Sequence, residues 1–280
     1  MLKQNYILID DIPQHELTII SENLKTSVNW RLAVLPEASL EEKISRLSQY
    51  QADNCILISA DPNLLSRMSR SAFTTIGYAK NGETIFGIDM LVEGFWEVDE
   101  RFLERVYQRK HELPWTILET GRCLVREITL TDLDALFELY SGPGMTDYME
   151  PLYDYEREKE YQRAYIEHMY GYYGYGMWLI IQKESGKVIG RAGLECREEF
   201  NGEIELGYAI SASCQRQGYA TEVCREILRY AHEELECEQI NCFIEEGNTV
   251  SEHLAEKLGF AFGETLIINQ KKMKRYVYTY

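Results

Sequence analysis

The chain has 280 residues, 45% hydrophobic and 27% charged, the balance of an ordinary globular protein long enough for two domains. Its formal net charge of −17 disfavours a nucleic-acid partner, whose phosphates require Lys and Arg for neutralisation. No apolar run approaches the length of a bilayer span and the N-terminus shows no small-residue cleavage pattern, so a cytoplasmic protein without membrane partners is expected.

In chain order, the run YILI at 6–9 reads as a short strand closed by Asp10 and Asp11. Residues 40–50 place Leu40, Ile44 and Leu47 at helical spacing, with Glu41, Glu42 and Lys43 on the other face. A second strand at 55–58 ends in Asp61-Pro62, a helix start, and a helix over 64–72 follows. Strands at 74–78 and 90–92 and a helix over 100–109 complete an alternation that predicts an α/β layer with a mainly parallel sheet. Asp10 and Asp61 are expected to cap helices. Pro114 cannot continue a helix, so the boundary falls there, with domains at 1–114 and 115–280.

Residues 1–114 carry 17 acids and 12 bases, a net of −5, whereas 115–280 carry 29 acids and 17 bases, a net of −12. Such a field would draw a cationic acceptor. Seven cysteines, none in a CxxC pair, fit reduced thiols better than disulfides or a metal site, and Cys224 falls on an apolar helix stripe.

In the second domain, 117–128 reads as one opening strand, and a helix begins near Thr131. The runs at 178–181 and 188–194 flank a turn at Gly186. Residues 203–210 alternate like a half-buried strand and end in a polar loop. Beyond it, Ala220, Val223, Cys224, Ile227, Leu228, Ala231 and Leu235 recur at three- and four-residue intervals. The order is therefore strand, glycine-bearing loop, helix. A helix start presents N–H groups without internal partners and the positive end of the helix dipole, a place for a diphosphate. Gly218 lets the backbone approach it and the small Ala220 leaves room.

The segment Gln215-x-x-Gly218-x-Ala220 is similar to the coenzyme A signature of the GNAT acyltransferases. Asn248, Ser251, Leu254 and the run EKLGF at 256–260 resemble that family's "N-x-x-S…l-eKlGF" helix. The hairpin at 178–194 and the opening pattern at 117–128 resemble its other parts, in the expected order. Within that family the pattern resembles the branch of ribosomal-protein alanine N-acetyltransferases. The resemblance implies a seven-stranded mixed, splayed sheet flanked by helices, with acetyl-CoA as co-substrate between two splayed parallel strands. It implies main-chain contacts to the coenzyme from Ala209 and Ile210, with an oxyanion-binding N–H there. Gln215, Arg216, Gln217, Gly218, Tyr219, Ala220 and Thr221 would cradle the diphosphate, while Asn248 and Lys257 would hold other parts of the coenzyme.

The reaction implied is direct attack of a primary amine on the thioester: a peptide N-terminus, a polyamine or a small amine. Glu205 is the expected base, with Glu195 and Glu203 as rivals. Many members use a tyrosine as thiolate acid, but that place holds Ala255, so Ser251 is the candidate donor to sulfur. A helix-capping role is its alternative. Asp147, Glu150, Asp154, Glu156, Glu158 and Glu160 mingle with tyrosines from Tyr148 to Tyr175, a combination suited to a cationic amine. Individually these residues fit packing or solvation as well. The basic run at 271–275 fits a solvated hairpin turn. A competing reading keeps the fold and loses turnover, giving an acyl-CoA-sensing or interaction module. The N-terminal domain resembles the latter half of haloacid-dehalogenase-like phosphatases over about 50 residues. It lacks their D-x-D-x-T spacing after the first strand and is expected to be non-catalytic.

Overall fold

The computed structural model describes residues 5–79, 82 and 84–280. The chain divides into two compact units, Met1–Leu113 and Pro114–Tyr280.

The first unit runs β1 (Asn5–Asp10), α1 (Gln14–Asn23), β2 (Trp30–Val34), α2 (Leu40–Leu47), β3 (Cys55–Ser59), α3 (Pro62–Met68), β4 (Thr74–Tyr78), β5 (Met90–Val92) and α4 (Glu100–Lys110). All four strand pairings are parallel and the order is β2-β1-β3-β4-β5, a doubly wound layout. Strands buried on both faces explain the continuous apolar runs. Ile7, Ile9, Ile56 and Ile58 join one cluster with Ile20 and Phe95, while Leu8, Cys55 and Leu57 join another with Leu47 and Leu64. Asp61 does cap α3, accepting from the N–H groups of Asn63 (2.9 Å) and Leu64 (3.3 Å).

Asp10 does not cap a helix. It is buried at the end of β1, where Lys43 Nζ lies 2.8 Å from its Oδ1 and Ser59 Oγ donates to its Oδ2 at 2.9 Å. A carboxylate so far from water needs a cation and donors around it, and α2 supplies the cation. Helix α1 and strand β2 escaped the sequence reading. The apolar residues of α1 are broken by Thr18 and the buried Glu16, and β2 is a partly exposed edge strand.

The second unit contains β6 (Thr116–Glu119), β7 (Cys123–Arg126), α5 (Leu133–Tyr140), α6 (Tyr155–Tyr165), a π-helical turn (Ile166–Tyr173), β8 (Met177–Gln182), β9 (Val188–Arg197), β10 (Glu203–Ile210), α7 (Tyr219–Glu233), β11 (Gln239–Glu245), α8 (Thr249–Leu258), β12 (Ala261–Ile268) and β13 (Lys271–Thr279). They form a mixed sheet in the order β12-β13-β11-β10-β9-β8-β7-β6.

The sheet has eight strands, one more than expected, because 117–128 folds into two strands rather than one. Thr120, Gly121 and Arg122 break the run, and Thr120 Oγ1 accepts from the N–H groups of Arg122 and Cys123 to close the turn. The basic run is also placed differently. Asn269 and Gln270, with φ of 48° and 66°, make the hairpin turn, so Lys271–Arg275 lie within β13. Lys272 and Lys274 there pair with Glu246 and Glu252 at 2.7 and 2.8 Å.

Candidate active site in the splayed sheet

Of all the pairs in this sheet, only β10 and β11 run parallel, and they are bridged at one position, Glu205↔Asn241. Each strand keeps a complete antiparallel ladder on its other side, with β9 and β13 respectively. The two therefore diverge beyond Glu205 while remaining anchored. The N–H of Ser211 donates to Ile189 of β9 (2.8 Å). By strand alternation, the N–H groups of Tyr208 and Ile210 point the other way, into the gap. That of Ala209 faces β9, so of the two proposed oxyanion-binding amides the one at Ile210 is directed correctly.

A cavity of about 470 Å³ occupies this gap. Ala209, Ile210, Gln215, Arg216, Gly218, Tyr219, Ala220, Thr221, Asn248, Ser251 and Lys257 all line it. Gly218 is the N-cap of α7, with φ of 84° and no side-chain cap, so the first amides of α7 have neither internal partners nor a capping oxygen. Free amides at a wide mouth fit a diphosphate.

Two of the predicted residues serve the loop itself. Gln215 Nε2 donates to the carbonyl of Ile210 at 3.0 Å, bracing the end of β10. Gln217 does not line the cavity: its Nε2 donates to Ser213 O at 2.8 Å. Asn248 caps α8, its Oδ1 accepting from the N–H of Ser251 at 3.2 Å, which leaves its Nδ2 as a donor for a ligand. Ser251 is thus inside the helix rather than its cap, and it lines the cavity. Lys257 is exposed at the rim. Ala255 is fully buried in the core of the unit, away from the gap.

A second cavity, of about 530 Å³, adjoins the first, and Tyr148, Tyr208, Asn248 and Ser251 belong to both linings. Glu205 lines this second space with Glu195, directly opposite it on β9. Glu205 is 7% exposed and its Oε2 accepts from Arg197 Nε. Burial pushes its carboxyl above the ordinary range, although Arg197 pulls the other way. Glu195 accepts from Tyr165 Oη at 3.3 Å. Glu203, the other rival base, is held by Arg275 at 2.6 Å and Asn241 at 3.1 Å and borders neither space.

Among the acidic and aromatic residues of 147–175, Glu150, Glu158, Tyr148, Tyr153, Tyr161 and Tyr165 reach the second cavity. Several are occupied structurally. Asp154 caps α6, Glu158 accepts from Tyr153 N–H and Gln162, and Arg157 covers the ring of Tyr153 at 4.0 Å. No group of three metal-ligating side chains is found among the described residues.

Two residues escaped the sequence reading. Tyr208 stands where the cavities meet, its Oη donating to the carbonyl of Ser251 at 3.0 Å; burial pushes its phenol strongly up, so it stays protonated. Arg122 binds Glu222 of α7 through Nε (2.7 Å), donates to the carbonyl of Gln217 (3.0 Å) and covers the ring of Tyr219 at 4.1 Å. It thereby ties the turn between β6 and β7 to the loop before α7. Its chief partner lies 100 residues away, and no local pattern announces such a pair.

Residues 122–261, half of the chain, match the family model "Acetyltransferase (GNAT) domain". This chain is a GNAT acetyltransferase. It is 29% identical over 159 residues to the uncharacterised N-acetyltransferase p20 of Bacillus licheniformis, covering 56% of this chain and 88% of that one. A second relative, the uncharacterised N-acetyltransferase YjdG of Bacillus subtilis, is 28% identical over 169 residues, covering 58% and 97%. Among solved structures, RimL, a ribosomal L7/L12 α-N-protein acetyltransferase in complex with coenzyme A, superposes with a TM-score of 0.51. It is 16% identical and covers 59% of this chain and 98% of its own, a likeness of fold. Membership in the GNAT family makes this an acyltransferase that draws on acetyl-CoA, and the matched residues include the loop at Gly218 and the helix at Asn248.

Proposed function

We propose that the enzyme moves the acetyl group of acetyl-CoA to a primary amine by direct attack, in the gap between β10 and β11. The observation that carries this reading is the meeting of two cavities at Tyr208 and Ser251, one lined by free helix-start amides and the other by buried carboxylates. The first suits the coenzyme, the second the amine.

Glu205, either directly or through a water, takes a proton from the entering ammonium. Burial raises its pKa and so moves it towards the working pH, the direction that suits a group that must both accept and release protons. The amine nitrogen then bonds to the thioester carbon, and the N–H of Ile210 receives the negative charge that develops on oxygen. The C–S bond breaks and the thiolate takes a proton. Ser251 is our assignment for that donor, its hydroxyl regaining a proton from the amine nitrogen as the amide forms, while Tyr208 holds the main-chain carbonyl of Ser251. The sum is acetyl-CoA and ammonium giving amide, free thiol and one proton. Asn248, Lys257 and the loop from Gln215 to Thr221 hold the coenzyme. Dissolved in this scheme is any need for a tyrosine at Ala255, which is buried away from the gap.

No reaction is assigned to the N-terminal unit. Asp10, the carboxylate at the end of β1, is bound by Lys43 and Ser59.

The test is incubation of the full chain with acetyl-CoA and a panel of amines and peptides, following free thiol and the mass of the acceptor. Equal release of thiol and gain of one acetyl group is expected. Saturable coenzyme binding with no thiol release across the panel would instead mark a sensing module.

A further inference from the structure

Arg191 of β9 is 9% exposed, and no carboxylate lies within ion-pairing distance of it among the described residues. Its one hydrogen-bond partner is a neutral phenol, Tyr140, whose oxygen receives Nη1 at 3.2 Å. Its Nε is buried with no partner at all. Tyr161, Tyr165 and Tyr170 also lie near it, and none supplies a counter-charge. A guanidinium stays charged at any working pH, and burying one without an anion is costly. Every other buried or half-buried cation discussed above has its carboxylate: Lys43 has Asp10, Arg197 has Glu205 and Arg275 has Glu203.

Arg191 lines the second cavity, the one assigned to the amine. It sits directly across from Ala209, at the diverging end of β10, whereas Glu195 sits across from Glu205. The two pairs share one face of the sheet, since four residues separate Arg191 from Glu195 along β9. Glu195 accepts from Tyr165 instead of reaching Arg191. A second unmet group lies on the same lining: Gln162 is fully buried, its Nε2 donates to Glu158 at 2.7 Å, and its Oε1 has no partner. Because a carboxylate only accepts, that contact fixes the amide so that the unmet atom is the oxygen. The cavity thus holds an unpaired cation at Arg191, the carboxylates of Glu195 and of the Arg197-bound Glu205 farther along the sheet, and an unused acceptor.

From this we infer that the acceptor is a primary amine that itself carries a carboxylate: Arg191 binds the carboxylate, while the ammonium is received among Glu195, Glu205 and the Gln162 oxygen. This rests on the acyl-transfer reading above and narrows it to the amino-acid class. Arg191 is a specificity residue and takes no part in the proton transfers. A polyamine, which the acidity of this half favours at long range, would set a second ammonium against Arg191. The carboxylate can belong to a free amino acid or to the acidic side chain of a peptide's first residue, and the spacing of amine to carboxylate distinguishes them.

The test uses the full chain with acetyl-CoA and matched acceptors: α-, γ- and ε-amino acids, their amides, peptides beginning with Asp or Asn, and spermidine. Wild-type kcat/KM should favour the acid over its amide by roughly 10- to 100-fold, the worth of a charge-assisted pair. In Arg191→Gln this preference should vanish, chiefly through KM, and Arg191→Lys should restore part of it. Equal use of acid and amide, or a preference for spermidine, overturns the inference even if acetyl transfer is confirmed. A second readout is independent of turnover: with coenzyme A present, an N-acetylated amino acid should raise the melting temperature of the wild type and not of Arg191→Gln. Protection of both alike, or of neither, also overturns it. Thiol release with no amine of any kind would count against the acyl-transfer reading instead.

Discussion

Two parallel strand pairs carry the two halves of this protein, and they behave oppositely. β1 and β3 stay paired over five positions, and the carboxylate at the end of β1 is sealed by a lysine from a neighbouring helix. β10 and β11 are joined at one position and part, opening the space that the acetyl donor needs. The buried charges follow the same division. Asp10 and Lys43 satisfy each other, whereas Arg191 waits without an anion. A fully laddered pair with neutralised charge makes a scaffold; a broken pair with unmet amides and an unmet cation makes a site.

The largest effect expected from breaking this contrast is at Glu205. Glu205→Gln should lower kcat by roughly a hundred- to ten-thousand-fold with acetyl-CoA affinity nearly unchanged. The sign of the pH dependence follows from burial. A carboxyl whose pKa is raised is protonated, and inactive as a base, up to a higher pH than usual. The acidic limb of kcat/KM should therefore lie above the ordinary carboxylate range and disappear in the glutamine variant, as a pH profile would reveal.

In the other half, Asp10→Ala leaves the buried Lys43 with only the more distant carboxylate of Asp61, 3.9 Å away, and should destabilise that unit by about 3 kcal/mol in chemical denaturation. Below its melting point, the variant should still bind acetyl-CoA normally. Next comes Gly218→Val: a β-branched residue at a φ of 84° is strained by about 1–3 kcal/mol and crowds the amides, so the Kd for acetyl-CoA should rise roughly 10- to 100-fold by calorimetry. The smallest effect is at Arg122. Its pair with Glu222 is partly exposed, so Arg122→Ala should weaken coenzyme binding by only about 2- to 5-fold.

These positions were not equally legible in the sequence. The alternation of the first unit, the hairpin at Gly186 and the loop at Gly218 depend on local spacing, which a sequence displays directly. The turn at Thr120 was hidden because Thr, Gly and Arg interrupt an otherwise continuous strand pattern, and the eighth strand came with it. Asp10 looked like a cap because the partner that buries it comes from α2, 33 residues on. Arg122 and Arg191 depend on packing between distant segments. Arg191 reads as an ordinary residue of a strand until the missing carboxylate is noticed, and absence of a partner has no sequence signature. Tyr208 lay in the alternating strand at 203–210, but only the divergence of β10 from β11 places it at the junction.

The central claim concerns where the acetyl donor lies, and amide hydrogen exchange of the full chain with and without coenzyme A addresses it most directly. The account predicts slowed exchange concentrated at Tyr208, Ile210 and the amides following Gly218. Unchanged exchange over 208–221 at saturating coenzyme, or protection confined to other segments, would contradict it.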